Sequence, residues 1–492
     1  MSAPTTTDRR SARGGLPVQA SIHDTLAFHP ATHDSPSGDP LGDLAGEYER
    51  VRRLTEELAA PLTPEDQTVQ TMADVSPTKW HRAHVTWFFE AFVLAEHQPG
   101  LSMFQDTYWT LFNSYYESVG ARYPRANRGH ISRPGAHEVG DYRRHVDDRM
   151  LDLLSARLPG ERSDEGRPED DALRALVSLG LHHEHQHQEL LLMDIKHVLS
   201  RNPLEPVGYP GPRVAPRSPS TMSWIEFGGG VVDAGNSSDG FHFDNEEPTH
   251  AVLLRPFRLA DRLVTNGEWL EFMIDGGYER HELWLSDGWA RVNEEKWCSP
   301  LYWKRDGSQW LEHTLHGTRP VRLDEPVVHV SHYEADAFAT WAGKRLPTEF
   351  EWEHAMRESM VAPPRDDQAQ VNDQEYGIEG FHPAADTGGK GMRQVFDSVW
   401  QWTSSAYLPY PGFSAPAGAV GEYNGKFMSG QMVLRGGASV TPKGHARVSY
   451  RNFFPPHARW AFSGVRFAET QTTLARLHRR EDDGRRQQSR PA

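Results

Sequence analysis

The stretch LHHEHQHQELLLMDIKHVL, residues 181–199, sets the tightest limit on how this chain folds. Successive residues of a helix turn by about 100°. Leu173, Leu176, Val177, Leu191, Ile195 and Val198 therefore share one apolar face across residues 172–200. Such a face has to be buried against other elements. His183 and His187 lie on it, one turn apart, whereas His182 and His185 fall towards the polar side. Glu189 sits roughly 200° round from His187, too far for one metal ion to take both. A lone buried histidine is more often a hydrogen-bonded core residue, and HHEHQHQE also matches a His-rich surface tract. The apolar stripe argues against the tract, and the pairing argues against the core residue. Two imidazoles at this spacing, pointing into a bundle, chelate transition metals.

Three more segments, 42–60, 77–97 and 142–158, carry helical periodicity. Four amphipathic helices predict an antiparallel bundle. The second begins in DVSPTKW, where Ser76 is expected to accept a first-turn amide and Pro77 has no amide to leave unpaired. A third metal ligand has to come from another helix. In SPTKWHRAHVTWFFEAFVL, His84 shares a face with Trp80, Trp87 and Ala91, and His81 lies about 60° away. The expected set is His84, His183 and His187; ligand type alone admits Zn, Fe, Ni or Cu. The long connection 98–141 contains YWTLFNSYYESVGARYPRANRGHISRPG, and connections of that length inside a domain are usually functional.

The texture changes after the bundle, assigned to 41–205. A Pro-rich linker is expected over 206–221. Short β-prone runs between Gly and Asn turns then predict an irregular α+β domain over 222–470, its clearest helix at 331–345. Residues 1–40 are expected to be disordered and 471–492 to be a flexible tail. The net charge of -16 argues against nucleic acid as a partner. No apolar run approaches the roughly 18 residues of a membrane span, and the first twenty residues lack the apolar core of a signal peptide. The single cysteine, Cys298, excludes an internal disulfide and suggests a reducing, cytoplasmic setting.

Five motifs in order, SPTKWHRAH, LFNSYYESVG, HEHQHQELLL, EYNGKFMSGQMVLRGG and YRNFFPPHARWAFSGVR, resemble the ergothioneine-biosynthesis sulfoxide synthases over roughly 45–470. The resemblance implies a DinB-like four-helix bundle followed by a formylglycine-generating-enzyme-like (C-type-lectin-like) α+β domain. It implies Fe(II) held by His84, His183 and His187. It also implies use of O2 to join a thiol sulfur to C2 of the imidazole of Nα-trimethylhistidine (hercynine), giving a sulfoxide. EPTHAVLLRPFRLADRLVTNGEW, LPTEFEWEHAMR, VWQWTSS and GVRFA carry the second-domain likeness. Formylglycine generation needs two active-site cysteines, so with one in the chain that activity is not expected.

A trimethylammonium group suits aromatic faces, and RNFF supplies Phe453 and Phe454. Asn452 and Gln186 could bond the carboxylate or imidazole. The branch of the family that takes γ-glutamylcysteine has an Asp and an Arg where this chain has Phe454 and Ala458. The closer resemblance is to the branch that takes free cysteine, whose catalytic phenol comes from a Tyr-Tyr pair, here Tyr115 and Tyr116. A phenol can give up a proton or hydrogen atom and so steer oxidation to C–S bond formation rather than sulfinate. The cysteine carboxylate calls for a guanidinium; Arg122, Arg125, Arg128, Arg133 and Arg451 are the candidates. Alternative readings are the same reaction on γ-glutamylcysteine or a selenium donor, attachment at C5, a DinB-like metal-dependent thiol transferase or hydrolase, and a lectin-like binding protein.

Overall fold

The computed structural model describes residues 44–98, 100, 102–157, 168–211, 220–238, 240–359, 380–416, 419–422 and 424–471. The expected N-terminal and C-terminal tails lie almost wholly outside them, as does linker segment 212–219. The four bundle helices are α1 (Leu44–Ala59), α2 (Thr78–Phe88), α3 (Ala136–Arg157) and α4 (Pro168–Ser200). Helix α2 packs on both α3 and α4, and α1 on the same two.

Helix α4 begins before its apolar stripe does. Pro168 opens it, where a missing amide costs nothing, and Glu169, Asp170 and Asp171 place negative charge at the positive end of the helix. Helix α3 also starts early, with Ala136 and Val139 already buried. Ser76 does not cap α2. Its amide donates to Asp194 at 2.7 Å and its hydroxyl accepts from Arg128 at 2.9 Å, and no side chain caps the helix. Beyond Phe88, α2 widens into a π-turn over Phe89–Leu94 before a last turn at Ala95–His97. Such turns recur at functional sites, and a 3.6-residue pattern cannot disclose one. Helix α4 lies hard against it at Gly180, where a Cβ would come within 2.6 Å of the Phe89 ring.

Among the described residues the second domain has twelve short strands. β1 (Trp224–Phe227), β4 (Phe257–Ala260) and β12 (Ala468–Thr470) form one sheet in the order β1-β4-β12, and β2 (Gly230–Ala234) pairs with β3 (His250–Leu254). β5 (Trp303–Asp306), β6 (Gln309–Thr314) and β7 (Gly317–Pro320) form a meander. The four-stranded sheet has the order β10-β9-β8-β11, from β8 (Trp400–Ala406), β9 (Met432–Arg435), β10 (Asn452–Phe454) and β11 (Ser463–Gly464). Antiparallel pairing sets Asn452 opposite Leu434 and Phe453 opposite Val433.

Helices α5 (Asn266–Ile274), α7 (His332–Trp341) and α8 (Glu349–Glu358) each start at a reciprocal cap in which Thr265, Ser331 or Thr348 pairs with a glutamate three residues on. Helix α6 is Ser286–Glu295. The helix expected over 331–345 ends sooner, because Gly343 turns the chain at φ +66.

Two features of the seam between the domains correct the sequence reading. The start of the expected linker is bound: the amides of Gly208 and Tyr209 donate to Leu315 O, and the Tyr209 hydroxyl donates to Leu58 O. The polar side of α4 is also covered rather than exposed. His182 stacks on Phe241 at 3.8 Å, His185 is buried, and Glu189 accepts from Trp400 and Thr441. Helix α4 is thus buried on two faces, one by the bundle and one by the second domain. Among the described residues no helix is long and apolar enough to cross a membrane.

Candidate metal centre and its pocket

The stripe on α4 and the face of α2 meet where both carry histidine. One ligand atom from each of His84, His183 and His187 lies within 4.8 Å of the others. The three rings have centroids 4.6–5.0 Å apart. Trp80 stacks on His84 at 4.7 Å, and Phe88 packs on His183 at 5.0 Å. Burial, with the neighbouring imidazoles second, holds His84 and His187 well below the usual histidine range, and burial brings His183 to about 3. All three are therefore neutral near pH 7, which is the form that binds metal.

Whether these residues fit a metal can be tested at His84. Its Nδ1–H donates to Phe112 O at 2.6 Å, which leaves the lone pair on Nε2. That nitrogen is buried and has no hydrogen-bond partner. A buried acceptor left unpaired costs about 1–3 kcal/mol, and a transition-metal ion is the group that three converging neutral imidazoles suit.

A second group, Glu312, Glu325 and His382, also brings potential ligand atoms within 4.8 Å. There, however, the Arg319 guanidinium pairs with both carboxylates and Arg322 with Glu325. Both carboxylates of that group thus already meet a guanidinium, Arg322 being shared with Asp324.

Around the histidines, the connection between α2 and α3 places the tyrosine pair. Asn113 pins that turn by donating to the carbonyls of Tyr116 and Gly120 and accepting the Tyr116 amide. The Tyr115 and Tyr116 rings lie 4.6 Å apart, and burial pushes the Tyr115 phenol above its usual range. Trp87 lies between Tyr116 and His84, at 5.8 and 5.7 Å from their rings. The second domain clasps the turn: Glu422 accepts the amides of Glu117 and Ser118, while Lys426 donates to Tyr115 O. Phe427 touches both the Tyr115 ring and Phe453.

Gln186, between the two histidines of α4, donates from Nε2 to the Tyr450 hydroxyl at 2.7 Å. His445 Nε2 lies 3.2 Å from the same oxygen. Phe453 stacks on Tyr407 at 4.0 Å, Asn452 accepts the Phe453 amide, and Phe454 packs edge-on against Trp460.

The five arginines separate. Arg122 and Arg133 are exposed and pair with Glu117 and Glu138, and Arg125 is exposed and donates to Asp74 O. Arg451 is buried but committed: it pairs with Glu349 and donates to Asn245 O and Leu408 O. Arg128 is buried, lies 3.2 Å over the Trp80 ring and, among the described residues, donates only to the hydroxyls of Ser76 and Ser114. Among the described residues no carboxylate pairs with it.

The sequence reading missed Asp194, Tyr450, His445 and the Glu422–Lys426 clasp, and ranked His81 as a weaker ligand. Asp194 could have been found, since it lies two turns beyond His187 on the same face of α4. The others belong to contacts between distant segments.

Residues 47–191 match the DinB superfamily, and residues 212–471 match the sulfatase-modifying factor enzyme 1-like domain. Over 445 residues the chain is 32% identical to the hercynine oxygenase of Mycolicibacterium smegmatis, spanning 87% of this chain and 97% of that one. The chain belongs to the hercynine oxygenase family. The Mycobacterium tuberculosis hercynine oxygenase is 30% identical over 409 residues, covering 80% of this chain and 91% of its own. The formylglycine-generating enzyme of Streptomyces coelicolor is 29% identical over 300 residues, covering 53% of this chain and 92% of its own, and so is similar to the second domain alone. As a member of this oxygenase family, the chain has the two-domain architecture that its sequence motifs imply, a DinB bundle joined to a domain rich in short sheets.

Proposed function

We propose that this oxygenase is a non-haem Fe(II)- and O2-dependent sulfoxide synthase that joins the sulfur of L-cysteine to C2 of the imidazole of Nα-trimethylhistidine. The observation that carries the proposal is the trio His84, His183 and His187: three neutral imidazoles whose nitrogens converge, with Trp87 between them and Tyr116. Those three would hold the iron, which when bound supplies the one-electron chemistry that O2 requires. The overall change balances without an external reductant. The thiol S–H and the imidazole C2–H are lost, a C–S bond forms, one oxygen stays on sulfur and the other leaves as water.

The chain's own side chains have separable tasks. Gln186, steadied by Tyr450, faces the imidazole of trimethylhistidine, and Asn452 and Phe453 receive its charged end. Arg128 is the favoured anchor for the cysteine carboxylate, because a buried guanidinium with only neutral partners gains most from an anion. Phe454 and Ala458 offer nothing to pair with a glutamyl group, which favours free cysteine over γ-glutamylcysteine. The packed phenols of Tyr115 and Tyr116 hold the proton whose delivery separates sulfoxide formation from oxidation of the thiol alone.

An aerobic assay of Fe(II)-loaded protein with trimethylhistidine, and with cysteine or γ-glutamylcysteine in separate reactions, tests the proposal by mass spectrometry of the products. A sulfoxide adduct from cysteine is the expected result. Adduct from γ-glutamylcysteine alone would overturn the substrate assignment, and no adduct from either would overturn the reaction.

A further inference from the structure

The fixed tautomer of His84 raises the question of what fixes His187, which no backbone carbonyl holds in the same way. His187 Nδ1 lies 2.8 Å from Nδ1 of His81, and His81 Nε2 lies 3.0 Å from Asp194 Oδ2. Asp194 Oδ2 also accepts the Ser76 amide at 2.7 Å. A carboxylate only accepts, so the hydrogen of His81 sits on Nε2 and points at Asp194. His81 Nδ1 is then an acceptor, and the hydrogen between the two rings belongs to His187 Nδ1. The lone pair of His187 is left on Nε2.

We propose that Asp194 and His81 are positioning residues: a carboxylate–imidazole relay that fixes the ring and tautomer of His187 and offers its Nε2 to the metal. The proposal rests on the metal-centre reading above. Both His81 nitrogens are engaged, one on Asp194 and one on His187, so His81 is a support for the trio and not a fourth ligand. The relay ties α2 to α4 twice over. His81 stands one turn before His84 on α2, and Asp194 stands two turns after His187 on α4. His81, Asp194 and Ser76 are all buried, so water does not compete for these bonds. A supporting partner of this kind orients a ligating histidine and raises its basicity, and its loss typically weakens metal binding about 10–100-fold.

Two substitutions separate this role from mere packing. The amide of Asn sits where a histidine carries Nδ1, and that of Gln where it carries Nε2. H81N keeps an acceptor for His187 and gives up Asp194; H81Q keeps Asp194 and gives up His187. Anaerobic Co(II) titration of the full chain, followed by visible absorption, reads affinity without turnover, and metal-free thermal unfolding reads packing. The expected result is a Co(II) affinity on the order of tenfold or more weaker for H81Q, with a smaller loss in H81N, which gives up the carboxylate but keeps the acceptor for His187, whichever variant unfolds first. D194N, which keeps an oxygen for His81 but loses the charge, is expected to weaken binding less than H81Q, and serves as the second arm if H81Q does not fold. Equal losses in H81N and H81Q, unchanged affinity in H81Q or D194N, or a Co(II) spectrum with one nitrogen donor fewer would overturn the relay. Wild-type protein that binds no Co(II) would overturn the metal centre itself, and the relay with it.

Discussion

His183 and Glu184 are consecutive on α4 and both buried, yet they sit in opposite kinds of environment. Glu184 accepts from Arg52, Arg143 and Thr55 at 2.8, 2.9 and 2.6 Å, and although burial pushes its carboxyl up, the two guanidiniums hold it at about 2. Every charge there meets its opposite. On the neighbouring face, His84, His183 and His187 turn nitrogens towards one another, and burial above all keeps each of them neutral. The same contrast separates the trio from Glu312, Glu325 and His382, where Arg319 and Arg322 complete the charge. A closed network holds a fold together; a converging set of neutral donors fits an ion.

The sharpest way to break this comparison is to cut each cluster in turn. H187A removes a half-buried ring and is expected to abolish metal retention and turnover, while metal-free stability by chemical denaturation shifts by no more than about 1–2 kcal/mol. E184A leaves Arg52 and Arg143 unpaired, and should cost about 3–5 kcal/mol in the same measurement. If H187A proves the more destabilising of the two, the trio is structural.

Next in size are the phenols. Of Y115F and Y116F, one is expected to lower sulfoxide formation by about 10²–10⁴-fold, with O2 uptake diverted to cysteine sulfinate. The ratio of the two products by mass spectrometry checks this.

The arginines repeat the comparison on a smaller scale. R128M should raise KM for cysteine by about 10–100-fold, the worth of one charged hydrogen-bonding partner, with little change in kcat. R451M instead removes one of the two guanidiniums that hold the buried Glu349, the other being Arg435, so the expected loss is in stability, read by thermal unfolding.

The smallest effect concerns Lys196, which reaches from α4 to His329 at 2.6 Å in the second domain. Burial lowers its amine to about 7 from 10.5, against the pull of Glu312. The unfolded chain binds a proton between those values that the folded chain does not, so this group makes stability rise with pH from about 7 towards 10.5. K196M should flatten that slope, as denaturant unfolding at several pH values would show. An unchanged slope would mean that the amine stays charged at the seam.

These contrasts also show where the sequence was readable. The apolar stripe gave away His183 and His187 because a helical wheel needs only one helix, and the shared face of α2 added His84. The wheel failed for His182, His185 and Glu189 because it assumes one buried face, while the second domain covers another. Ser76 has the chemistry of a helix cap, yet its hydroxyl accepts from Arg128 instead of a first-turn amide. Arg128 could not be told from its neighbours by type or spacing, since what distinguishes it is burial beside hydroxyls and Trp80. The π-turn after Phe88 leaves no mark on a periodic pattern.

The most direct test is a count of bound iron. After anaerobic dialysis against Fe(II), the wild-type chain is expected to hold one iron, the H84A/H183A/H187A variant none, and an E312Q/H382A variant one. Iron that survives loss of the three histidines but disappears with Glu312 and His382 would contradict the account and move the metal to the cluster that the arginines are held here to complete.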